Sequence, residues 1–287
     1  MEQELLSLLA DTQSPAADTR KAAELNLLHL YPNESFPLSL LAIASHGTVP
    51  VNLRQSALSV LRTFIAAAWS PNLDEFKGTI LVNDVNKAQI RASLLALATT
   101  AETADRKIKS SASYAVSKVA SADFPEHWPE LLPALLQIIN DVNCSAGALH
   151  GALKVLWDLV DTGFNEEQFF NVARDLVSSL FHVANNESRK PMLRALAVAV
   201  FRSCFDTLEM VLEQHKVQVK QFMDEVLAGW SPFFISTLKA PLPQPPTEEE
   251  GSKETEIASQ WRGVIGLKLQ VARVSLSPQI PQSHFLY

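Results

Sequence analysis

The 287-residue sequence predicts an all-α protein, a solenoid of about six helical hairpins stacked side by side. Three observations carry that prediction. Apolar residues recur at three- and four-residue spacing in most stretches long enough to judge, which draws one apolar stripe along each helix. The striped segments come in twos, and a new pair begins roughly every 35 to 50 residues. Composition agrees: 47% of residues are hydrophobic, enough for a large core, while Gly (9) and Tyr (3) are few and alternating β-branched runs are scarce. One hairpin cannot bury its stripe alone, so each leans on the next and the core runs lengthwise. An irregular helical globule is the competing arrangement.

The elements follow in order. Glu2 to Ala10 reads as a short helix, and Pro15 opens a second that runs to about Leu30. Tyr31 to Ser35 is turn chemistry, with Asn33 or Ser35 able to cap the apolar helix from Phe36 to Ser45, which His46-Gly47 closes. Val51 to Trp69 carries Leu53, Ala57, Val60, Leu61, Phe64, Ile65 and Ala68 on one face, and Ser70-Pro71 stops it. Asn83 to Ala101 is striped by Ile90, Leu94, Leu97 and Ala98, and Asp105 to Ala120 by Ile108, Ala112, Ala115, Val116 and Val119. Small residues on that second helix allow its neighbours a close approach.

Phe124 to Ile139 is an aromatic corner that becomes a helix. Pro125 and Pro129 suit a first turn, whereas Pro133 is expected to bend a helix begun at Pro129 or to push its start downstream. Ser145 to Val160 pairs with it and ends before Gly163; Glu166 to Ala184 pairs with Lys190 to about Gln214. Val217 to Leu238 is expected to be broken by Pro232. Residues 242–256 combine spaced prolines with five Glu and no large apolar residue after Leu242, the composition of an exposed, disordered acidic loop. Ile257 to Val274 resumes as helix, and the tail to Tyr287 does not. The domain reading is therefore hairpin repeats over 1–241, the acidic loop over 242–256, and a partial further helix with an irregular tail over 257–287, although length alone suggests about two domains.

Charge and cysteine usage bound the function. A net charge of −7 argues against a dedicated nucleic-acid binder and suits a basic partner, though it also fits ordinary solubility. Cys144 and Cys204 lack CxxC or metal-type neighbours and fit a reducing compartment as small buried hydrophobes. The opening MEQELLSLLADTQ is too acidic for a signal peptide, and no run of 18 apolar residues is present, so no membrane insertion is expected. The seven histidines are scattered without HExxH, so no metal is expected, and the absence of GxGxxG or GxxxxGK[ST] leaves no direct nucleotide site or other cofactor. His127 beside Glu126 lies in the Pro-rich corner without a nearby nucleophile. No enzyme is expected, unless its residues are assembled across distant repeats.

The period is that of a HEAT or armadillo solenoid, and particular residues resemble one family. Ala23-Glu24 with Leu27, and Leu53-Arg54-Gln55-Ser56-Ala57 through Leu61-Arg62 to Trp69, are similar to the importin-β (karyopherin-β) N-terminal domain, here about 22–101. The stretch Lys107 to Ser111, Tyr114 to Ser117, Asp123-Phe124-Pro125-Glu126-His127-Trp128-Pro129 and His150 to Leu156 resembles the importin-9 branch.

The resemblance implies a nuclear transport receptor that shuttles between cytoplasm and nucleus, binds Ran–GTP through the inner helices of its first repeats, and carries basic cargo such as core histones or TATA-binding protein. It also admits nucleoporins as partners. The Ran-facing candidates it implies are Arg20, Glu24, Arg54, Gln55, Arg62, Lys109, Ser113, Ser117, Lys154 and Asp158. Two departures stand out: Thr63 follows Arg62 where the family often has Asn, and whole receptors contain many more repeats, which implies an N-terminal fragment or truncated gene product. A HEAT scaffold unrelated to Ran is the alternative.

Overall fold

A computed structural model describes residues 1–100, 106–162, 164, 166–211, 216–252 and 255–276. Among them are thirteen helices and no strand. The chain divides into two compact units, one up to Leu131 and one from Leu132 onward.

The first unit holds three hairpins: α1 (Glu2–Asp11) with α2 (Ala17–Leu30), α3 (Phe36–Ser45) with α4 (Val51–Ala68), and α5 (Asp84–Ala98) with α6 (Arg106–Asp123). First helices stack in one row, α1 on α3 and α3 on α5, and α4 stacks on α6 in a second row. The apolar stripes meet between the rows. Leu5, Leu9, Phe36, Leu40, Leu61, Phe64, Ile90 and Ile108 are all buried there. Tyr31, Phe36 and Phe64 form a triangle of rings with centroids 5.0 to 5.4 Å apart, tilted or edge-on as ring quadrupoles favour.

The second unit repeats the plan. α7 (Leu131–Asn140) and α8 (Ala146–Thr162) open it, α9 (Glu166–Asn185) pairs with α10 (Pro191–Val211), and α11 (Lys216–Lys239) packs on α13 (Glu256–Ser275). The short α12 (Glu248–Ser252) lies between the last two. α8, α10 and α13 form the row of second helices. At its centre Phe201 stacks on Trp230, with centroids 3.8 Å apart, and Phe205, Phe233 and Phe234 close around the pair.

Two proline expectations resolve differently. The helix expected from Pro129 begins at Leu131, so Pro133 is its third residue, where an N–H would have no intrahelical partner. Before it, the Asp123 carbonyl accepts from the His127 N–H (2.7 Å) and the Trp128 N–H (3.0 Å), which folds the aromatic corner back on α6. Pro232, expected to break its helix, sits inside an uninterrupted α11. The correction has a physical reason: Ala228, Gly229 and Pro232 are all exposed, so the carbonyl that loses its donor faces water. Meanwhile Trp230, Phe233 and Phe234 are buried on the other face and hold the turns before and after it together. Within the stretch expected to be disordered, Glu248–Ser252 forms the five-residue α12. Expected boundaries at Ala101, Asp105, Gly163 and Gln214, and the tail after Leu276, lie outside the described residues.

Close approach decides one glycine. A Cβ on Gly263 would stand 3.0 Å from the Met192 backbone nitrogen and 3.2 Å from the Pro191 Cβ, whereas one on Gly266 meets nothing within 4 Å. Gly263→Ala is therefore expected to destabilise the chain by about 1–3 kcal/mol, and Gly266→Ala to stabilise it by up to about 1 kcal/mol through helix propensity. Urea unfolding of the two variants reads the contrast. The thiols give a second test. Cys204 is fully buried, and that burial pushes its thiol well above the usual range. Maleimide labelling of the native chain is expected at the half-buried Cys144, and at Cys204 only after denaturant is added.

Candidate protein-docking groove on the first unit

α4 has two faces. Ala57, Leu58, Leu61, Phe64 and Ile65 turn into the core, and Asn52, Gln55, Ser56, Ser59 and Arg62, at the complementary helical spacing, line an open groove. Gln13, from the α1–α2 connection, closes one end. Its side-chain amide donates to Ser56 Oγ (2.9 Å) and accepts from Asn52 Nδ2 (2.7 Å). Ser111 and Tyr114 of α6 form the far wall, and Tyr114 is 51% exposed. The groove has a volume of about 340 Å³ and a lining dominated by hydroxyls and amides, with Arg62 as its charged member. Such a surface suits hydrogen bonding to another protein's polar or acidic segment. It assembles no nucleophile and base, and among the described residues no group of three His, Cys, Asp or Glu side chains could hold a metal ion.

The ten sequence candidates separate into distinct environments. Gln55 and Arg62 lie in the groove, Gln55 partly buried and Arg62 exposed. Glu24 is exposed on α2. Lys154 and Asp158 lie on α8 in the second unit, 4.0 Å apart as an i,i+4 pair, with the Lys154 ammonium 4.7 Å above the Trp157 ring. Ser117 is half-buried, and its hydroxyl donates back to the Ser113 carbonyl at 2.9 Å.

Of the remaining four, Arg54, Lys109 and Ser113 are buried rather than outward as expected, and Arg20 is partly exposed with its guanidinium turned to backbone. Arg54 and Lys109 are each only 4% exposed and Ser113 only 2%, with its hydroxyl donating to the Lys109 carbonyl. Arg54 Nε donates to the Ala44 carbonyl at the end of α3 (2.7 Å), and Arg20 Nη1 donates to the carbonyls of Ser14 (2.7 Å) and Pro15 (2.9 Å). A shared position explains the cations. Arg20, Arg54 and Lys109 are each the fourth residue of the second helix in their hairpin, and so is Arg194 in α10. Arg194 Nε donates to the Ala184 carbonyl near the end of α9 at 2.7 Å, as Arg54 does ten residues back in its own hairpin. Burial lowers the Arg194 pKa, partly offset by Glu187. Arginine at this place supplies donors to carbonyls that a helix end or its connecting turn leaves without partners.

The apolar stripe of α4 marks which residues leave the core but does not by itself mark Gln13, Asn52, Ser56, Ser59, Ser111 and Tyr114 as groove residues. The polar stripe at Asn52, Gln55, Ser56, Ser59 and Arg62 was a readable signal; the arrival of Gln13 from another element was not.

What the fold defines is a HEAT-type helical solenoid. Yeast importin-β (Kap95p) superposes on the whole chain with a TM-score of 0.61 at 14% identity, the match covering 37% of that protein. At that identity the likeness concerns the fold. Residues 23–100 match the family profile of the importin-beta N-terminal domain. Importin subunit beta-5 of Schizosaccharomyces pombe is 33% identical over 238 residues, 82% of this chain and 23% of that protein. The chain belongs to the importin-β superfamily. Importin-9 of Drosophila melanogaster is 20% identical over 78% of the chain, so likeness to the importin-9 branch in particular is weak. The chain spans about a quarter of the length of the curated relatives it matches.

Arg54 and Arg62 separate stability from surface chemistry. Arg54→Ala is expected to lower stability by about 2–4 kcal/mol, because a charge-assisted bond to a buried carbonyl is lost along with packing. Arg62→Ala is expected to stay within about 0.5 kcal/mol of the parent. Thermal and urea melts of the two variants check this.

Proposed function

We propose that this chain acts as the Ran-engaging part of a nuclear transport receptor. The observation that supports it is the match of residues 23–100 to the importin-beta N-terminal domain, a stretch that includes α4 and its polar face. On this reading the groove of α4 and α6 receives Ran in its GTP form, with Arg62 and Gln55 as the principal contacts, Tyr114 as a neighbouring one, and Glu24, Lys154 and Asp158 as further candidates. Arg20, Arg54, Lys109 and Ser113 position the helices that carry those contacts. The protein is a binding protein without catalysis, shuttling between cytoplasm and nucleus. A net charge of −7 favours basic import cargo, of which core histones and TATA-binding protein are the proposed examples, with nucleoporins as further partners. Its mechanism is differential binding: Ran–GTP and cargo each lower the affinity for the other, by the same factor in both directions.

The competing reading is a HEAT scaffold unrelated to Ran. Immobilised chain challenged with purified Ran loaded with GTP or GDP separates the two. Retention of the GTP form alone is expected, and retention of neither or of both equally refutes the proposal. Arg62→Glu is expected to weaken Ran–GTP binding at least about tenfold, a loss of roughly 1.4 kcal/mol, with unchanged helical circular dichroism. Unaltered affinity would remove Arg62 from the contact.

A further inference from the structure

We propose that residues 240–247, the connection between α11 and α12, are a pre-extended ligand for a partner domain with an aromatic-lined polyproline groove of the SH3 type. The sequence there is Ala-Pro-Leu-Pro-Gln-Pro-Pro-Thr. Every residue from Ala240 to Pro246 is a proline or precedes one. Proline fixes its own φ, and the residue before it is held to the extended region, so the whole strap is restricted to polyproline-like backbone. The segment from Pro241 to Pro246 is in neither helix nor strand, as expected of a polyproline II strand, which has no internal hydrogen bonds.

One end is tied to α13 and the other is continuous with the capped start of α12. The Lys268 ammonium of α13 donates to the carbonyls of Thr237 (2.8 Å), Leu238 (3.1 Å) and Ala240 (2.5 Å). At the other end Thr247 and Glu250 bond reciprocally. The Thr247 N–H and hydroxyl both donate to Glu250 Oε2 at 2.9 Å, and the Glu250 N–H donates to Thr247 Oγ1 at 3.3 Å. Between these ends Leu242 is 63% exposed. A large apolar side chain held in water by flanking prolines contributes nothing to this core.

The spacing gives the strap a readable edge. With three residues per turn, Leu242 and Pro245 fall on one line and Pro243 and Pro246 on the next, while Gln244 points elsewhere. Two apolar–proline pairs thus lie side by side, the arrangement that aromatic-lined grooves take up. Because the backbone is already extended and anchored, little conformational freedom remains to be lost on docking. Glu248 and Glu249 follow immediately and are exposed, so the groove that fits carries lysine or arginine beside that end.

The test titrates the full chain, by calorimetry, against purified SH3 domains whose groove rims are basic or acidic. Saturable one-to-one binding is expected with basic-rimmed domains and at least about tenfold weaker binding with acidic-rimmed ones. Pro243→Ala with Pro246→Ala is expected to lower the affinity about tenfold or more. Glu248→Lys with Glu249→Lys should weaken the basic-rimmed domains specifically. Helical circular dichroism and melting temperature should stay unchanged in both variants. Absence of saturable binding across the panel, affinity indifferent to the proline substitutions, or binding confined to WW domains run in parallel would each overturn the proposal.

Discussion

A helix that ends in the middle of a stack leaves its last carbonyls without intrahelical donors, and the neighbours that bury it also exclude much of the water. This chain meets that constraint with cations. In the second hairpin Arg54 reaches back to the Ala44 carbonyl, and in the fifth Arg194 reaches back to Ala184 with the same atom, the same distance and the same ten-residue separation. Arg189 does related work after α7, donating to the carbonyls of Asp141 (2.8 Å), Val142 (2.9 Å) and Cys144 (2.9 Å). Lys268 closes the end of α11. Hydrophobic stripes draw the helices together, and directed bonds at the turns add fixed points between them.

The corner after α6 shows the same logic with an added charge. Arg91 of α5 meets the buried Asp123 through Nε (2.8 Å) and Nη2 (2.7 Å) and donates through Nη1 to the His127 carbonyl (2.6 Å). Its guanidinium also lies 5.9 Å from the centroid of the Trp69 ring, with the Lys87 ammonium at 5.5 Å. One side chain thus joins the end of α4, the middle of α5 and the turn out of α6. Removing either member of the ion pair would strand a poorly hydrated charge, the costly way to break such a pair.

Function occupies the surface these devices leave over. Once the apolar face of α4 is committed to the core and Arg54 to its turn, the helix retains a polar edge of amides, hydroxyls and Arg62. That edge is a groove rather than a flat face because α6 stands beside it and Gln13 is bonded across one end. The strap after α11 is the counterpart on the second unit: a surface made by backbone restriction rather than by packing.

Periodicity determined the helices almost entirely from the sequence, since a 3.6-residue apolar repeat has few other uses in a chain this poor in glycine and β-branched alternation. Boundaries for α3 were read to the residue, and those of α4 and α9 to within one. The family, too, was legible in short ordered motifs. What tertiary structure alone decided was the direction of the long polar side chains. Arg54 and Arg62 lie on one helix, both off its apolar stripe, yet one is buried on a carbonyl and the other stands in water. A helical wheel records angle, but not which flank of the helix the neighbouring turn will cover. The fate of Pro232 was settled in the same way, because sequence identifies a proline but not whether the carbonyl it orphans will face solvent.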